Sequence, residues 1–389
     1  MRYYIIAGET SGDLHGSNLM KGLYAQDPSA TIRFWGGPKM NEVFQAHESG
    51  TGLVADYRDT AVMGYVQVLK QGRTIVKRIE SCQQDILAWK PDVVILIDYP
   101  GFNLRMAEFA HKAGFKVFYY IAPKVWGSRE KRVSKLRDYV DKLFIVFPFE
   151  KPYFERQGIP YVYVGNPLVD ALAESPQLSE SKSDFLQRTG LPDQPWIALL
   201  AGSRNMEIRS MMPIYMKLAS AWHSSHPSDL FVIAAAPSST LADYEPYIGA
   251  RPYVKVVFGE TYGALRHARA AVINSGTASL EAALIGTPQL VSYKLSSVIP
   301  AWLARKYIKV KYISLGNLIL DRLAFREYIQ NEVKVPALLT ELTRLCEDSA
   351  YRAAMQVSYA QIRELLGTTG ASEAVAREII TSVVDGTKK

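Results

Sequence analysis

Val93-Val94-Ile95-Leu96-Ile97, closed by Asp98, is an aliphatic run without a single polar interruption. A strand with one face in water alternates apolar and polar residues. A run that does not alternate predicts a strand covered on both faces, as in a parallel sheet between helical layers. Tyr3 to Ala7, Ile32 to Trp35, Lys116 to Tyr120 and Leu143 to Phe147 are likewise apolar, but for Arg33 and Lys116. Between them, Cys82 to Lys90 and Leu104 to Lys112 carry helical spacing and sit where crossover helices belong. The first half of the chain therefore reads as repeated βαβ units.

From Ala171 to Pro195 the chain turns rich in Ser, Gln, Glu and Pro, which marks the expected domain boundary. The pattern then restarts, with Trp196 to Leu200, Leu230 to Ala234, Val254 to Phe258, Ala271 to Ile273 and Gln289 to Tyr293 as strands. After Ser349 the spacing of Ala353, Met355, Ile362, Leu365, Ala374 and Ile379 is helical. The expected organisation is a first Rossmann-like domain over 1–170, a linker over 171–195, a second such domain over 196–348 and closing helices over 349–389, which pack back on the first domain. At 389 residues two cores are the prior expectation. In two facing doubly wound α/β domains, ligands sit outside the carboxyl ends of the strands, in the cleft between the halves.

The composition, 48% hydrophobic and 21% charged, is that of a globular protein and excludes a disordered or fibrous chain. The two cysteines, Cys82 and Cys346, have no partner at metal-ligand spacing and fit a reducing compartment. Gly8 and Glu9 come too early to leave room for a secretory signal, so a cytoplasmic location is expected. No apolar run approaches the length of a membrane span. A net charge of +7 favours an anionic partner: phosphate, nucleic acid or acidic lipid.

Two loops carry the first chemistry. Leu199-Leu200-Ala201-Gly202-Ser203-Arg204 leaves a strand through a small-residue turn towards Glu207 and a helix. Gly202 allows close backbone approach, the turn offers free amides, and Arg204 presents a fork suited to a diphosphate. Ile273-Asn274-Ser275-Gly276-Thr277-Ala278-Ser279-Leu280-Glu281 repeats the design, with a helix N-terminus at Ser275, Gly276 and Thr277 for phosphate oxygens and Glu281 one turn on for ribose hydroxyls. An ordinary turn with a surface arginine, and a helix cap with a solvated Glu, explain each loop taken alone.

Taken together, Gly202-Ser203-Arg204 with Glu207-Ile208, and Ser275-Gly276-Thr277 with Leu280-Glu281, resemble the donor half of the lipid-A-disaccharide synthase family, inverting glycosyltransferases of GT-B architecture. The likeness continues through Ala7-Gly8-Glu9-Thr10-Ser11-Gly12-Asp13, Gly36-Gly37-Pro38-Lys39-Met40, Met63-Gly64, Ile97-Asp98, Phe102-Asn103-Leu104 and Pro123-x-Val125-Trp126, in the family's order. Departures fall at Gln67, Gly101, Lys124, Gly127-Ser128, Asn166 and Gly316.

The resemblance implies UDP-2,3-diacylglucosamine as donor, 2,3-diacylglucosamine 1-phosphate as acceptor, a β-1,6 product and release of UDP. It places the essential acid at Asp98, the natural general base at a strand end, although an Asp there also suits a helix cap. An ordinary carboxyl pKa of about 3.9 is low for that task, so the site has to raise it. Gly8, Ser11, Gly12 and Asp13 would face the reacting sugars, and Asn317, Glu327 and Gln330 would extend the donor side. The chain has no Asp-x-Asp pair to hold a metal, so neither metal nor cofactor is expected, and Arg204 and the helix terminus would neutralise UDP.

Acyl chains need apolar cover. Val62, Met63, Val66, Val68 and Leu69, with Ile75 and Val76 after a Lys70-Gln71-Gly72-Arg73 turn, form a candidate membrane-facing lip, and an amphipathic core helix explains the same letters. Basic residues at Lys124, Arg129, Lys131, Arg132, Lys135 and Arg137, and at Arg305, Lys306, Lys309 and Lys311, suit anionic headgroups or solvated helix faces. The expectation is peripheral contact with the inner membrane of a Gram-negative bacterium. A UDP-N-acetylglucosamine 2-epimerase-like enzyme is the alternative within the same architecture. A basic nucleic-acid-binding module is the alternative outside it, disfavoured because the aromatic residues fall on strands and do not interleave with Lys and Arg. The residues carry no signature of an oligomeric state.

Overall fold

The computed structural model describes residues 1–61, 68–125, 132–236, 239–274, 276–294 and 311–386, with the backbone alone at 60–61 and 68–74. The chain divides into two compact units, Met1–Ala171 with Gly367–Lys389, and Leu172–Leu366.

The first unit holds a seven-stranded sheet of β1 (Arg2–Ala7), β2 (Thr31–Gly36), β3 (Leu53–Asp56), β4 (Val93–Ile97), β5 (Lys116–Tyr120), β6 (Lys142–Phe144) and β7 (Tyr161–Val162). Its order is β3-β2-β1-β4-β5-β6-β7, and every pairing is parallel. All five residues of β4 are fully buried, the reason its sequence shows no alternation. The order reverses between β1 and β4, which opens a crevice outside their carboxyl ends.

The second unit repeats the plan with β8 (Trp196–Leu200), β9 (Leu230–Ala235), β10 (Val254–Phe258), β11 (Ala270–Ile273), β12 (Gln289–Tyr293) and β13 (Glu327–Ile329). Its parallel order, β10-β9-β8-β11-β12-β13, reverses between β8 and β11. Two doubly wound α/β sheets are thus present, as the aliphatic runs predicted.

Differences are local and have causes. The run expected to reach Phe147 stops at Phe144, because Pro148 opens a short 3-10 turn and the Glu150 carboxylate accepts the amides of Val146 and Phe147 at 3.1 and 3.0 Å. Strands β3, β7 and β13 escaped the sequence reading: they are short and only partly buried, so no aliphatic run announces them. Lys70-Gln71-Gly72-Arg73, expected to turn, lies inside the helix Val68–Trp89. The stretch after Ala171 contains helices Pro176–Ser179 and Lys182–Thr189, the latter capped by Ser181, whose hydroxyl accepts the Asp184 amide at 3.2 Å.

The last helix, Ala371–Gly386, belongs to the first unit. It packs on the helix Thr10–Gln26 so closely that a Cβ on Gly22 would stand 3.0 Å from the Ala376 Cβ. Its start is held by Asp170, whose carboxylate accepts the amides of Gly370 and Ser372 at 2.7 Å each.

Candidate active-site loops

In the first unit the crevice between β1 and β4 is lined by the loop after β1 and by Asp98-Tyr99 after β4. Asp98 and Tyr99 both adopt left-handed backbone, with φ of 43° and 47°, and Ile121, just past β5, has φ 62°. Such conformations cost on the order of 1–3 kcal/mol each in non-glycine residues, and they persist only where surroundings impose them. Here the surroundings are plain. The Asp98 carbonyl accepts from Asn103 Nδ2 at 2.9 Å and from the Tyr119 hydroxyl at 2.6 Å, and its amide donates to the Tyr120 carbonyl at 3.1 Å. Asn103, fully buried, also reaches the carbonyls of Ile97 and Ile6 at 3.1 and 3.3 Å, tying the ends of β4 and β1 together.

The Asp98 carboxylate accepts one local hydrogen bond, from the Tyr99 amide. Burial pushes its pKa above the ordinary value; Lys124 pulls it back and Glu9 pushes it further up. Glu9 and Lys124 are exposed.

Around the glycine loop the expected residues separate. Gly8 lies against the Tyr99 ring, where an added Cβ would come within 2.3 Å of Cδ1. Ser11 is exposed and Gly12 buried against Ala7. Asp13 does not face solvent. At 1% exposure, its carboxylate accepts the amides of Gly37, Lys39 and Met40 at 2.8, 3.1 and 3.1 Å. It therefore caps the helix Pro38–His47 and corrects the expectation that it belongs to a ligand-facing set.

In the second unit, the two expected loops meet at the β8/β11 reversal. Gly202 has φ 113°, and a Cβ there would fall 2.4 Å from Glu207 Oε2. That carboxylate accepts the amides of Ser203 and Arg204 at 2.9 and 3.4 Å, capping the helix Asn205–His223. The amides expected to be free are thus held by Glu207. The Arg204 side chain, 71% exposed, remains presented, with Glu207 at 3.8 Å.

Asn274 is the strut between the loops: its amide donates to Leu200, and its Nδ2 donates to the Ala201 carbonyl at 2.8 Å. Ser275 lies outside the described residues. The helix Gly276–Ile285 starts beside it, with Thr277 exposed on its first turn. Glu281 accepts the Tyr262 hydroxyl at 3.1 Å; burial raises its pKa and that bond lowers it.

Asn317 corrects another expectation. Fully buried, it donates to the Phe325 carbonyl and to Glu327 at 3.0 and 2.8 Å, and accepts the Ala324 amide at 2.7 Å. Glu327 in turn accepts the amides of Ile313 and Ser314 at 2.9 Å each, so this pair shapes a loop. Gln330, left-handed with φ 55°, stands just past β13, away from the β8/β11 reversal. Sequence reading gave no role to the Asn274 strut or the Tyr262 partner of Glu281; the strut's one signal is its place directly before the Ser-Gly-Thr turn.

Val62, Met63 and Val66 of the candidate lip lie outside the described residues, and Val68 and Leu69 are described only as helix backbone. Ile75 and Val76, further along that helix, are 46% and 51% exposed. Among the described residues no helix is long and apolar enough to cross a membrane.

Known proteins share both the sequence and the fold. The chain is 36% identical over 377 residues to lipid-A-disaccharide synthase of Geobacter metallireducens, covering 96% of this chain and 95% of that one. It is 34% identical to the enzyme of the same name from Trichlorobacter lovleyi, covering 98% and 97%. Among solved structures, UDP-GlcNAc 2-epimerase from Neisseria meningitidis, bound to UDP-GlcNAc, superposes with a TM-score of 0.70 at 14% identity over 98% of this chain and 100% of that one. The glycosyltransferase SnogD from Streptomyces nogalater gives 0.53 at 16% identity over 98% and 99%. Likeness at that identity speaks for the two-domain GT-B fold alone. The family model described as lipid-A-disaccharide synthetase matches residues 3–380, and the chain belongs to that family.

Proposed function

We propose that this glycosyltransferase moves a 2,3-diacylglucosaminyl group from UDP to 2,3-diacylglucosamine 1-phosphate, forming a β-1,6 bond and releasing UDP, with Asp98 as general base. Lipid A biosynthesis is the setting its family supplies. The observation that carries the mechanism is Asp98 itself: a carboxylate at a topological switch point, on backbone forced into the left-handed region, with a pKa raised by burial.

In the step proposed, an acceptor hydroxyl oxygen bonds to the anomeric carbon and its proton passes to the Asp98 carboxylate. The bond from that carbon to the UDP oxygen breaks, and its electron pair leaves with UDP. Exposed Arg204 and the N-terminus of the helix Gly276–Ile285 meet the diphosphate, and Glu281 meets the ribose. Gly202 gives that loop its shape. Ser11 and Gly8 border the acceptor. Contact with an anionic membrane surface from the cytoplasmic side fits the exposed Ile75 and Val76.

Product analysis after mixing the protein with the two acylated glucosamine substrates tests the assignment directly. A disaccharide 1-phosphate and one UDP per linkage are expected. Conversion of UDP-N-acetylglucosamine alone, with no disaccharide, would return the epimerase reading that the fold likeness permits.

The pH profile tests the base. Asp98 works ionised, so activity rises with pH through its pKa, and the acid limb of kcat/KM is expected above the ordinary carboxyl value of about 3.9. Lys124→Ala removes the charge that favours the carboxylate and should move the limb up. Glu9→Gln removes a like charge and should move it down. Each shift is expected to be about half a unit, the size a screened charge at the surface exerts. A limb indifferent to both variants would place the base elsewhere.

A further inference from the structure

Glu281 reaches the donor side of the second unit with only one of its oxygens engaged. It stands on the helix Gly276–Ile285, directly after β11, and burial raises its pKa while the bond from Tyr262 alone lowers it. That bond is donated by the Tyr262 hydroxyl to Oε1 at 3.1 Å. Among the described residues Oε2 has no hydrogen-bond partner. A Glu side chain turns about three bonds, and a carboxylate without a fixed partner spreads over many rotamers. One donor on Oε1 removes that freedom and leaves Oε2 open as an acceptor in a defined place.

Tyr262 is itself fixed from behind. It lies on the short helix Thr261–Arg266, past the carboxyl end of β10. The side-chain oxygen of Gln177 accepts the amides of Tyr262 and Gly263 at 3.1 and 3.2 Å, and its Nε2 donates to the Gly259 carbonyl at 2.6 Å. Gln177 thus grips the turn on both sides of Tyr262. Gly263 lies against the Phe185 ring, where an added Cβ would come within 2.5 Å of a ring carbon. Burial and the Glu281 carboxylate both push the phenol's pKa up, so Tyr262 stays protonated and donates.

We infer that Tyr262 is a positioning residue for ribose recognition: by holding Oε1 of Glu281 it presents Oε2 to the ribose hydroxyls, and so sets the preference for a ribonucleotide over a deoxyribonucleotide. The role rests on the ribose contact proposed for Glu281 above. A nucleotide without those hydroxyls leaves Oε2 with no donor in a half-buried place, a loss that a fully solvated acid would not feel. Tyr262 acts on the nucleotide through Glu281, and its contribution should therefore vanish when the carboxylate is gone.

Calorimetric titration of the full chain with UDP and with 2′,3′-dideoxy-UDP separates these parts. The wild-type protein should bind UDP about a hundredfold more tightly, the scale of hydrogen bonds to a charged acceptor. Glu281→Gln should cut that ratio to about tenfold or less. Tyr262→Phe deletes one oxygen and keeps the ring. It should weaken UDP about tenfold and leave 2′,3′-dideoxy-UDP within about twofold, so that the ratio shrinks. Added to Glu281→Gln, the same substitution should change the ratio by less than about twofold. Gln177→Ala frees the backbone behind the phenol and should shrink the ratio about threefold, a second reading if the phenylalanine variant folds poorly.

A Tyr262→Phe protein that weakens both ligands equally, as a purely structural role would, overturns the inference and leaves the Glu281 contact standing. So does one that keeps the wild-type ratio. A wild-type ratio near one would instead remove the Glu281 contact, and the role of Tyr262 with it, while the transfer reaction answers separately to product analysis.

Discussion

Asp98→Asn should lower kcat by two to four orders of magnitude and leave UDP affinity within about twofold, the span expected when a positioned general base is removed. The substitution isolates the charge. Asn is, with Asp, among the residues best suited to left-handed backbone, so the strained turn after β4 keeps its conformation. The turn is held mainly by the Asp98 carbonyl and amide; its carboxylate also accepts the Tyr99 amide, a bond that a side-chain amide oxygen at this position can accept in its place. The fold should therefore melt at an unchanged temperature, while the proton acceptor becomes an amide oxygen of negligible basicity. Steady-state rates at saturating donor and acceptor, set beside a UDP titration and a thermal melt, read all three quantities. A variant with wild-type turnover would remove Asp98 from the mechanism.

The second large effect belongs to the donor side. Gly202→Ala should raise the donor KM about thirty- to several-hundredfold and lower the melting temperature of the second unit. At φ 113° an alanine is strained before any contact is considered. Its Cβ would then lie 2.4 Å from Glu207 Oε2, 2.6 Å from Glu207 Cβ and 3.1 Å from Asn274 Nδ2. Glu207 has to withdraw from the amides it caps, and Asn274 from the Ala201 carbonyl that joins the two loops. Backbone strain of about 1–3 kcal/mol and a lost cap of about 1 kcal/mol together set that range. Donor KM and UDP affinity measured on the same preparation decide the matter. Unchanged values would show that the donor does not lean on this loop.

What could be read from the residues alone follows from what burial does to a sequence. Strands β4, β5, β8 and β12 lie inside the sheets between helical layers, and their bounds match the apolar runs; β10, at a sheet edge and partly exposed, was legible from its Val and Phe content. Strands β3, β7 and β13 sit at the sheet margins, where partial exposure dilutes the pattern. In the candidate site the positions of the loops were legible, because small residues after a strand announce a turn. The partners of their polar groups were not. Asp13 and Asn317 look in sequence like residues offered to a ligand, yet backbone amides 24 and 7 residues further along claim them. Glu207 likewise takes the amides that a Gly-Ser turn advertises as free. A polar letter in a motif reads the same whether its partner is a substrate or the next helix.

The return of the last helix to the first unit bears on how the protein is made. The helix Ala371–Gly386 that covers the helix Thr10–Gln26 is translated only after the whole of the second unit. At ordinary elongation rates roughly twenty seconds to a minute separate the two. Before Ala371–Gly386 is made, Gly22 and its neighbours present an uncovered seam to solvent, while the second unit, contiguous in the chain, already has all its residues. Completion of the first unit therefore waits until the whole second unit has been made, and a chain terminated at Leu366 would carry that seam permanently.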